Sequence, residues 1–243
     1  MRPVPGANAT FRVPIDRESA GIRNLVQRVF VYGPGESPEM KNEESEDTLY
    51  VVRGTGEAVV AGETFPLVPA TGLLAPAGVP YLLRNPGPEP LEIVSVISPQ
   101  PGRPASVPPS PMALPIGLRG MSAHEREQEP LPAGDDRTFK LMIDPRYGSK
   151  YVTQFLGFIE KSAAPPHTHT YEEVIYILGG SGVVHIEEGD YPIEAGSSIY
   201  LPPGTSHCLE NKTNETLRLL GVFCPAGSPA DKMMQEMGRV RVD

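Results

Sequence analysis

Residues 165–180 read PPHTHTYEEVIYILGG, and residues 196–211 read GSSIYLPPGTSHCLEN. In the first stretch His167 and His169 are two apart, so on an extended chain both imidazoles face the same way. Glu173 opens the β-branched and aromatic run Val174-Ile175-Tyr176-Ile177-Leu178, which reads as a strand that stops at glycine. In the second stretch Pro202 and Gly204 shape a tight turn just before His207. Neutral imidazoles with one carboxylate suit a first-row divalent ion. His167, His169, Glu173 and His207 are therefore the expected metal ligands, and a bound divalent ion would leave the site with a net charge of about +1, favouring an anionic substrate oxygen.

The neighbourhood of this site occurs twice. Residues 47–60, DTLYVVRGTGEAVV, match residues 173–186, EVIYILGGSGVVHI, at an offset of 126. Tyr50 matches Tyr176, Gly54 matches Gly180, Gly56 matches Gly182, and Pro66 matches Pro192. Further on, Pro76, Gly78, Asn85 and Pro99 match Pro202, Gly204, Asn211 and Pro225. A register kept this long, with turn residues in the same places, means two copies of one domain. Each copy shows short strand-like runs at regular spacing, such as Glu57 to Val60, Thr64 to Leu67, Gly72 to Ala75 and Leu91 to Ile97. That spacing belongs to an all-β sandwich or barrel. The expected domains are residues 1–100 and 124–243, with a proline-dense connector over 101–123. A helix is expected only in the tail, from Pro229 to Met237.

The two site segments resemble the paired motifs of the cupin superfamily, H-x-H-x3-E-x6-G and G-x5-P-x-G-x2-H-x3-N. His167, His169, Glu173 and Gly180 fill the first, and Gly196, Pro202, Gly204, His207 and Asn211 fill the second. The resemblance implies two double-stranded β-helix (jelly-roll) barrels in tandem, a bicupin, with one divalent ion per chain. Mn or Fe is the first expectation, then Ni, Co or Zn. It further implies a metal-dependent enzyme, of dioxygenase type or another metal-assisted chemistry, acting on a small substrate with carboxylate, carbonyl or enol oxygens. A metal-loaded binding or sensor protein is the alternative. The architecture is also similar to ureidoglycine aminohydrolase-like bicupins, but their pattern has a glutamate at the position of His167 and an amide at that of His207, which argues against that activity.

At the constant offset, the first copy puts Lys41, Glu43, Asp47 and Tyr81 where the second has its ligands. With no imidazole and a cation among them, these make a poor transition-metal site, so the first barrel is expected to be metal-free. Tyr151, Gln154 and Phe158, just before the HxH segment, are candidates to line the pocket. His185 is expected to face outward, His124 has no companion, and Cys208 and Cys224 read as packing. The net charge of −9 disfavours nucleic acid and anionic membranes as partners. No run is apolar enough for a signal peptide or a membrane span, so a cytoplasmic protein with a small-molecule substrate is expected, with a homodimer as one of its assembly options. Purified protein should carry about one equivalent of divalent metal per chain by elemental analysis; two tightly bound equivalents would show that the first copy ligates too.

Overall fold

The computed structural model describes residues 1–134, 136–163 and 165–227, and the expected tail helix lies outside them. The described residues fold into two antiparallel jelly-roll barrels. In the first, the larger sheet runs in the order Arg2–Pro3, Ala9–Ile15, Val26–Tyr32, Leu91–Ser98, Glu46–Arg53, Thr71–Ala75, Ser122–His124. The smaller runs Gly35–Glu36, Tyr81–Asn85, Gly56–Val60, Glu63–Leu67. In the second, the larger sheet is Leu131–Gly134, Arg137–Leu141, Thr153–Ile159, Leu217–Cys224, Glu172–Gly179, Ser198–Leu201. The smaller is Gly189–Glu194, Ser181–Ile186, His207–Glu210. The end of the connector does not hang free, because Ser122–His124 pairs with Thr71 to Leu73 of the first barrel.

Strand alternation sorts each sequence run into two faces. On Glu46–Arg53, Leu49 and Val51 enter the interior of the first barrel, while Tyr50 points out of it. That outer face is not solvated. Val29, Tyr50, Leu74 and Val94 pack against Met142, Leu156, Tyr176 and Leu220 of the second barrel. A second seam joins Ile15, Ile22, Leu25 and Val96 to Val152, Val174, Val222 and Cys224. The large sheets are thus buried on both faces, which is why Val174 to Leu178 reads as a continuous apolar run rather than an alternating one. Gly54 and Gly180 end matching strands at φ +81° and +75°. A Cβ there would lie 2.3 Å from the Pro90 carbonyl oxygen and 2.7 Å from that of Thr216, so each position requires glycine.

Two buried carboxylates cross the seam in opposite directions. Glu46 accepts from the Ser149 hydroxyl at 2.7 Å and from the N–H groups of Lys150, Tyr151 and Val152 at 2.8–3.2 Å. Glu172, at the same place in the second copy, accepts from the N–H groups of Arg23 and Asn24 and from Asn24 Nδ2, each at 2.8 Å. Each barrel therefore lends a glutamate to the start of the other's Val26–Tyr32 or Thr153–Ile159 strand, a reciprocal exchange expected of a pseudo-twofold axis. Ser98 and Cys224, equivalent residues, meet across it at 3.9 Å. Replacing Glu46 or Glu172 by alanine strands several buried donors at once. Each change should cost about 2–4 kcal/mol in urea unfolding; a loss below about 1 kcal/mol would show that the seam does not need these anchors.

Candidate metal centre

The HxH segment is tied to the turn before His207 by backbone bonds. His167 N–H donates to His207 O at 3.0 Å and His207 N–H to His167 O at 2.9 Å, while Gly204 N–H donates to His169 O at 2.8 Å. Glu173 arrives from the adjacent strand Glu172–Gly179, where alternation sends Glu172 outward to the other barrel and Glu173 inward. The His167 and His207 rings are 4.4 Å apart and those of His169 and His207 4.8 Å, centre to centre. His169, Glu173 and His207 are buried, and His167 is partly exposed.

All three imidazoles are oriented in the same way. His167 Nδ1 lies 3.1 Å from Pro165 O, His169 Nδ1 2.9 Å from Tyr171 O, and His207 Nδ1 2.9 Å from Thr205 O. A carbonyl only accepts, so Nδ1 carries the proton and Nε2 keeps its lone pair in every ring. This is the arrangement that prepares histidines for a metal. His169 Nε2 is buried without a hydrogen bond, although Glu173 Oε2 stands 3.1 Å away. Two buried acceptors facing each other are unfavourable unless a cation lies between them. The donor set thus fits a divalent ion by type, tautomer and burial. Among the described residues no three His, Cys, Asp or Glu side chains are drawn together into a closed coordination shell; the fit rests on orientation and on the orphaned nitrogen.

The first barrel meets the same electrostatic demand without an ion. Asp47, the counterpart of Glu173, is fully buried, and its Oδ2 accepts from Arg28 Nη2 at 2.6 Å and Tyr81 OH at 2.7 Å. Its Oδ1 accepts from Ser95 OH at 2.6 Å. Arg28 is thus a built-in cation beside the carboxylate. Burial, with Asp47 alongside, holds the Tyr81 phenol well above the usual tyrosine range. Strand register also corrects the sequence comparison. Met40 exchanges backbone bonds with Tyr81 as His167 does with His207, and Asn42 O receives Gly78 N–H as His169 O receives Gly204 N–H. Met40 and Asn42 therefore occupy the two imidazole positions, not Lys41 and Glu43, which form a surface ion pair at 2.8 Å. The slip arises because the loop leading to Asp47 is one residue longer than the one leading to Glu173.

Beside the site lies a cavity of about 120 Å³, bordered by His167, Glu173 and His207 and by apolar side chains including Phe139, Phe155, Ile175, Leu209 and Leu219. Two of the three expected lining residues are elsewhere. Gln154 is directed at Leu49 O of the first barrel, 3.4 Å away, and Tyr151 packs at the inter-barrel seam. On Thr153–Ile159 it is Phe155, opposite Gly221, and not Gln154 that faces inward. Phe158 does border the cavity, with Lys140 and Arg218 over its ring at 5.8 and 5.6 Å. Phe155 needs Gly221 opposite it: a Cβ there would lie 2.3 Å from the ring and 3.1 Å from Glu173 Oε1. Sequence reasoning missed both. The available signal was that Gly221 interrupts an apolar strand where the first copy has Ser95.

Tyr171 stacks on His169 at 4.1 Å and 9° and packs against Phe223 at 4.8 Å. His185 is remote from the quartet and points outward, its two nitrogens 2.6 Å from Asp190 Oδ1 and 2.8 Å from Glu210 Oε2; these carboxylates raise its pKa. His124 receives the N–H of Arg126. Cys208 and Cys224 are buried. No helix among the described residues is long and apolar enough to cross a membrane.

Comparison with known proteins agrees with the two-barrel fold. A family model described as a cupin domain matches residues 28–97 and 158–223, together more than half of the chain. The oxalate-binding protein of Thermotoga maritima is 44% identical over 58 residues, covering 24% of this chain and 48% of that protein. The chain spans about half the length of the first curated relatives it matches. Among solved structures, a putative glyoxylate-induced protein from Pseudomonas aeruginosa superposes with a TM-score of 0.75 at 19% identity, over 90% of this chain and 81% of that one. Oxalate decarboxylase from Bacillus subtilis, a protein with Mn(II) centres, gives 0.68 at 17% identity, over 90% and 73%. At these identities the two structures establish likeness of fold.

Burial strips water from the charged imidazole of His207 and lowers its pKa from 6.5 to about 4. In the metal-free protein the folded state then binds fewer protons than the unfolded state between those values, so stability falls as pH drops from about 6.5 to about 4, by up to about 3 kcal/mol. An NMR titration of His207 with a midpoint near 4, and acid unfolding that steepens in this window, are the expected results. A His207 midpoint at or above 6.5 would contradict the buried site.

Proposed function

Because the chain belongs to the cupin family, with two cupin domains in tandem, we infer that its second barrel is a mononuclear metal centre of an enzyme acting on a small oxygenated substrate. The observation that carries this reading is the common orientation of three imidazoles, each Nδ1 bound to a carbonyl and each Nε2 left for an ion, beside a buried carboxylate. Mn or Fe is the proposed ion, with Ni, Co or Zn next; the Mn(II) centres of the structurally similar decarboxylase support Mn. When bound, such an ion supplies Lewis acidity toward a carboxylate, carbonyl or enol oxygen and a place for dioxygen.

The chain's own residues hold and enclose. The three carbonyl partners fix the imidazole tautomers, Tyr171 braces the His169 ring by stacking, and the apolar wall keeps water from the substrate. Beyond the quartet, the titratable groups on the described lining are Arg137 and Tyr171. A lining this poor in acid–base groups supports chemistry that does not depend on a protein general base, in keeping with a dioxygenase-type reaction. The same scarcity favours a second reading, a metal-loaded binding protein without turnover, as the name of the Thermotoga relative would suit.

One experiment separates them. Protein loaded with Mn(II) or Fe(II) is mixed with a panel of small carboxylic, keto and enolic acids, and dioxygen uptake, product formation and bound ligand are followed together. Metal-dependent turnover of one class, lost in His207→Ala along with the metal, is the expected outcome. Saturable binding with no product would establish the binding protein instead.

A further inference from the structure

We propose that the second barrel takes a small monoanionic oxyacid with an apolar body, about the size of a six-membered ring or a branched chain of five or six carbons. Its oxygen-bearing end would meet the quartet. This rests on the metal reading above and adds the substrate class to it.

The argument begins with where polarity lies around the cavity. Phe139, Ile175, Leu201, Leu209 and Leu219 are all buried and form an apolar floor against His167, Glu173 and His207. Of the other polar lining positions, Thr138 is exposed and Arg137 partly so, with the Arg137 Nε–H donating to Gly134 O at 3.1 Å, while the buried Tyr171 stacks its ring on His169 at the quartet itself. A ligand held by one oxygen group at the quartet therefore turns its remaining atoms toward hydrocarbon. A second carboxylate pointing the same way would be buried without a partner, which is strongly unfavourable. The volume sets the size. An apolar cavity of roughly 150 Å³ accommodates benzene, and this one measures about 120 Å³.

The two barrels show that this space is a departure from their shared plan. Through the equivalent pairs Ile93↔Phe30 and Leu219↔Gly157, the first barrel has a phenylalanine where the second has glycine. Phe30 stacks on Phe11 and Tyr32 at 5.7 and 5.6 Å and fills the interior; Gly157 lines the cavity, and the aliphatic Leu219, which a Cβ at Gly157 would meet at 2.8 Å, stands where the first barrel has that ring. Likewise, Ser95↔Arg28 corresponds to Gly221↔Phe155, so a guanidinium beside the carboxylate has become an aromatic wall. Both exchanges make the second interior roomier or more apolar next to the quartet.

The test is a series of monocarboxylates, acetate, propanoate, butanoate, 3-methylbutanoate and benzoate, titrated calorimetrically into Co(II)-loaded protein whose metal content has been measured. Affinity should rise about fourfold for each buried methylene, level off once the cavity is full, and carry a negative heat-capacity change. Succinate should bind more weakly than butanoate. Gly157→Phe, which restores the first barrel's filling, should flatten the series while leaving the Co(II) content and its absorption spectrum intact. Should that variant fold poorly, Leu209→Thr should lower the slope without closing the cavity. A flat series on metal-loaded wild type, or a preference for the dicarboxylate, overturns the proposal and leaves the metal reading standing. If wild type takes up no metal, the metal reading falls, and the same series on metal-free protein still decides the pocket: a rise with apolar size supports it and a flat response sinks it.

Discussion

Glu172 and Glu173 are neighbours in the chain, and a strand must send them in opposite directions. Glu172 leaves its own barrel and is held by the backbone of Arg23 and Asn24 in the other; Glu173 then has nowhere to go but inward, beside His169. Glu46 and Asp47 repeat the pattern in the first barrel, with Glu46 held by residues 149–152. The docking of the barrels and the placing of the interior carboxylates are therefore one constraint. A shift of either strand by one residue would exchange the anchor for the site residue and lose both.

A buried carboxylate still needs a positive partner, and the barrels answer that need differently. In the first, Arg28 is the cation, supported by the Ser95 and Tyr81 hydroxyls, and the network is closed on itself. In the second, the position of Arg28 holds Phe155, that of Ser95 holds Gly221, and that of Tyr81 holds His207. What remains is a carboxylate facing a buried imidazole nitrogen that has no hydrogen bond. In the first interior the buried carboxylate is neutralised by protein atoms alone; in the second, a cation between the two facing acceptors would meet the same need.

The exchanges also account for the cavity. With glycine under Leu219 in place of the Phe30 ring, and Phe155 in place of an arginine, the space next to the quartet is less filled and more apolar than in the first barrel. Gly221 serves both ends, since any side chain there would strike the Phe155 ring and crowd Glu173.

Much of this was legible in the sequence. The duplication, the all-β class and the four candidate ligands follow from short-range spacing, because turn residues and x-to-x+2 alternation are local properties of the chain. Local reading failed where it needed register. Nothing in residues 40–47 reveals that their loop holds one residue more than its counterpart, so Met40 and Asn42 were passed over for Lys41 and Glu43. Nor does the run Tyr151 to Phe158 disclose its phase, which is set by pairing with Leu217–Cys224 and by the face that meets the other barrel. The cross-barrel role of Glu46 and Glu172, the Arg28 counter-ion and the common tautomer of the three histidines each depend on atoms distant in sequence. Spacing along one strand determines which residues share a face; only the packed sheets decide which face looks into the barrel and what stands opposite.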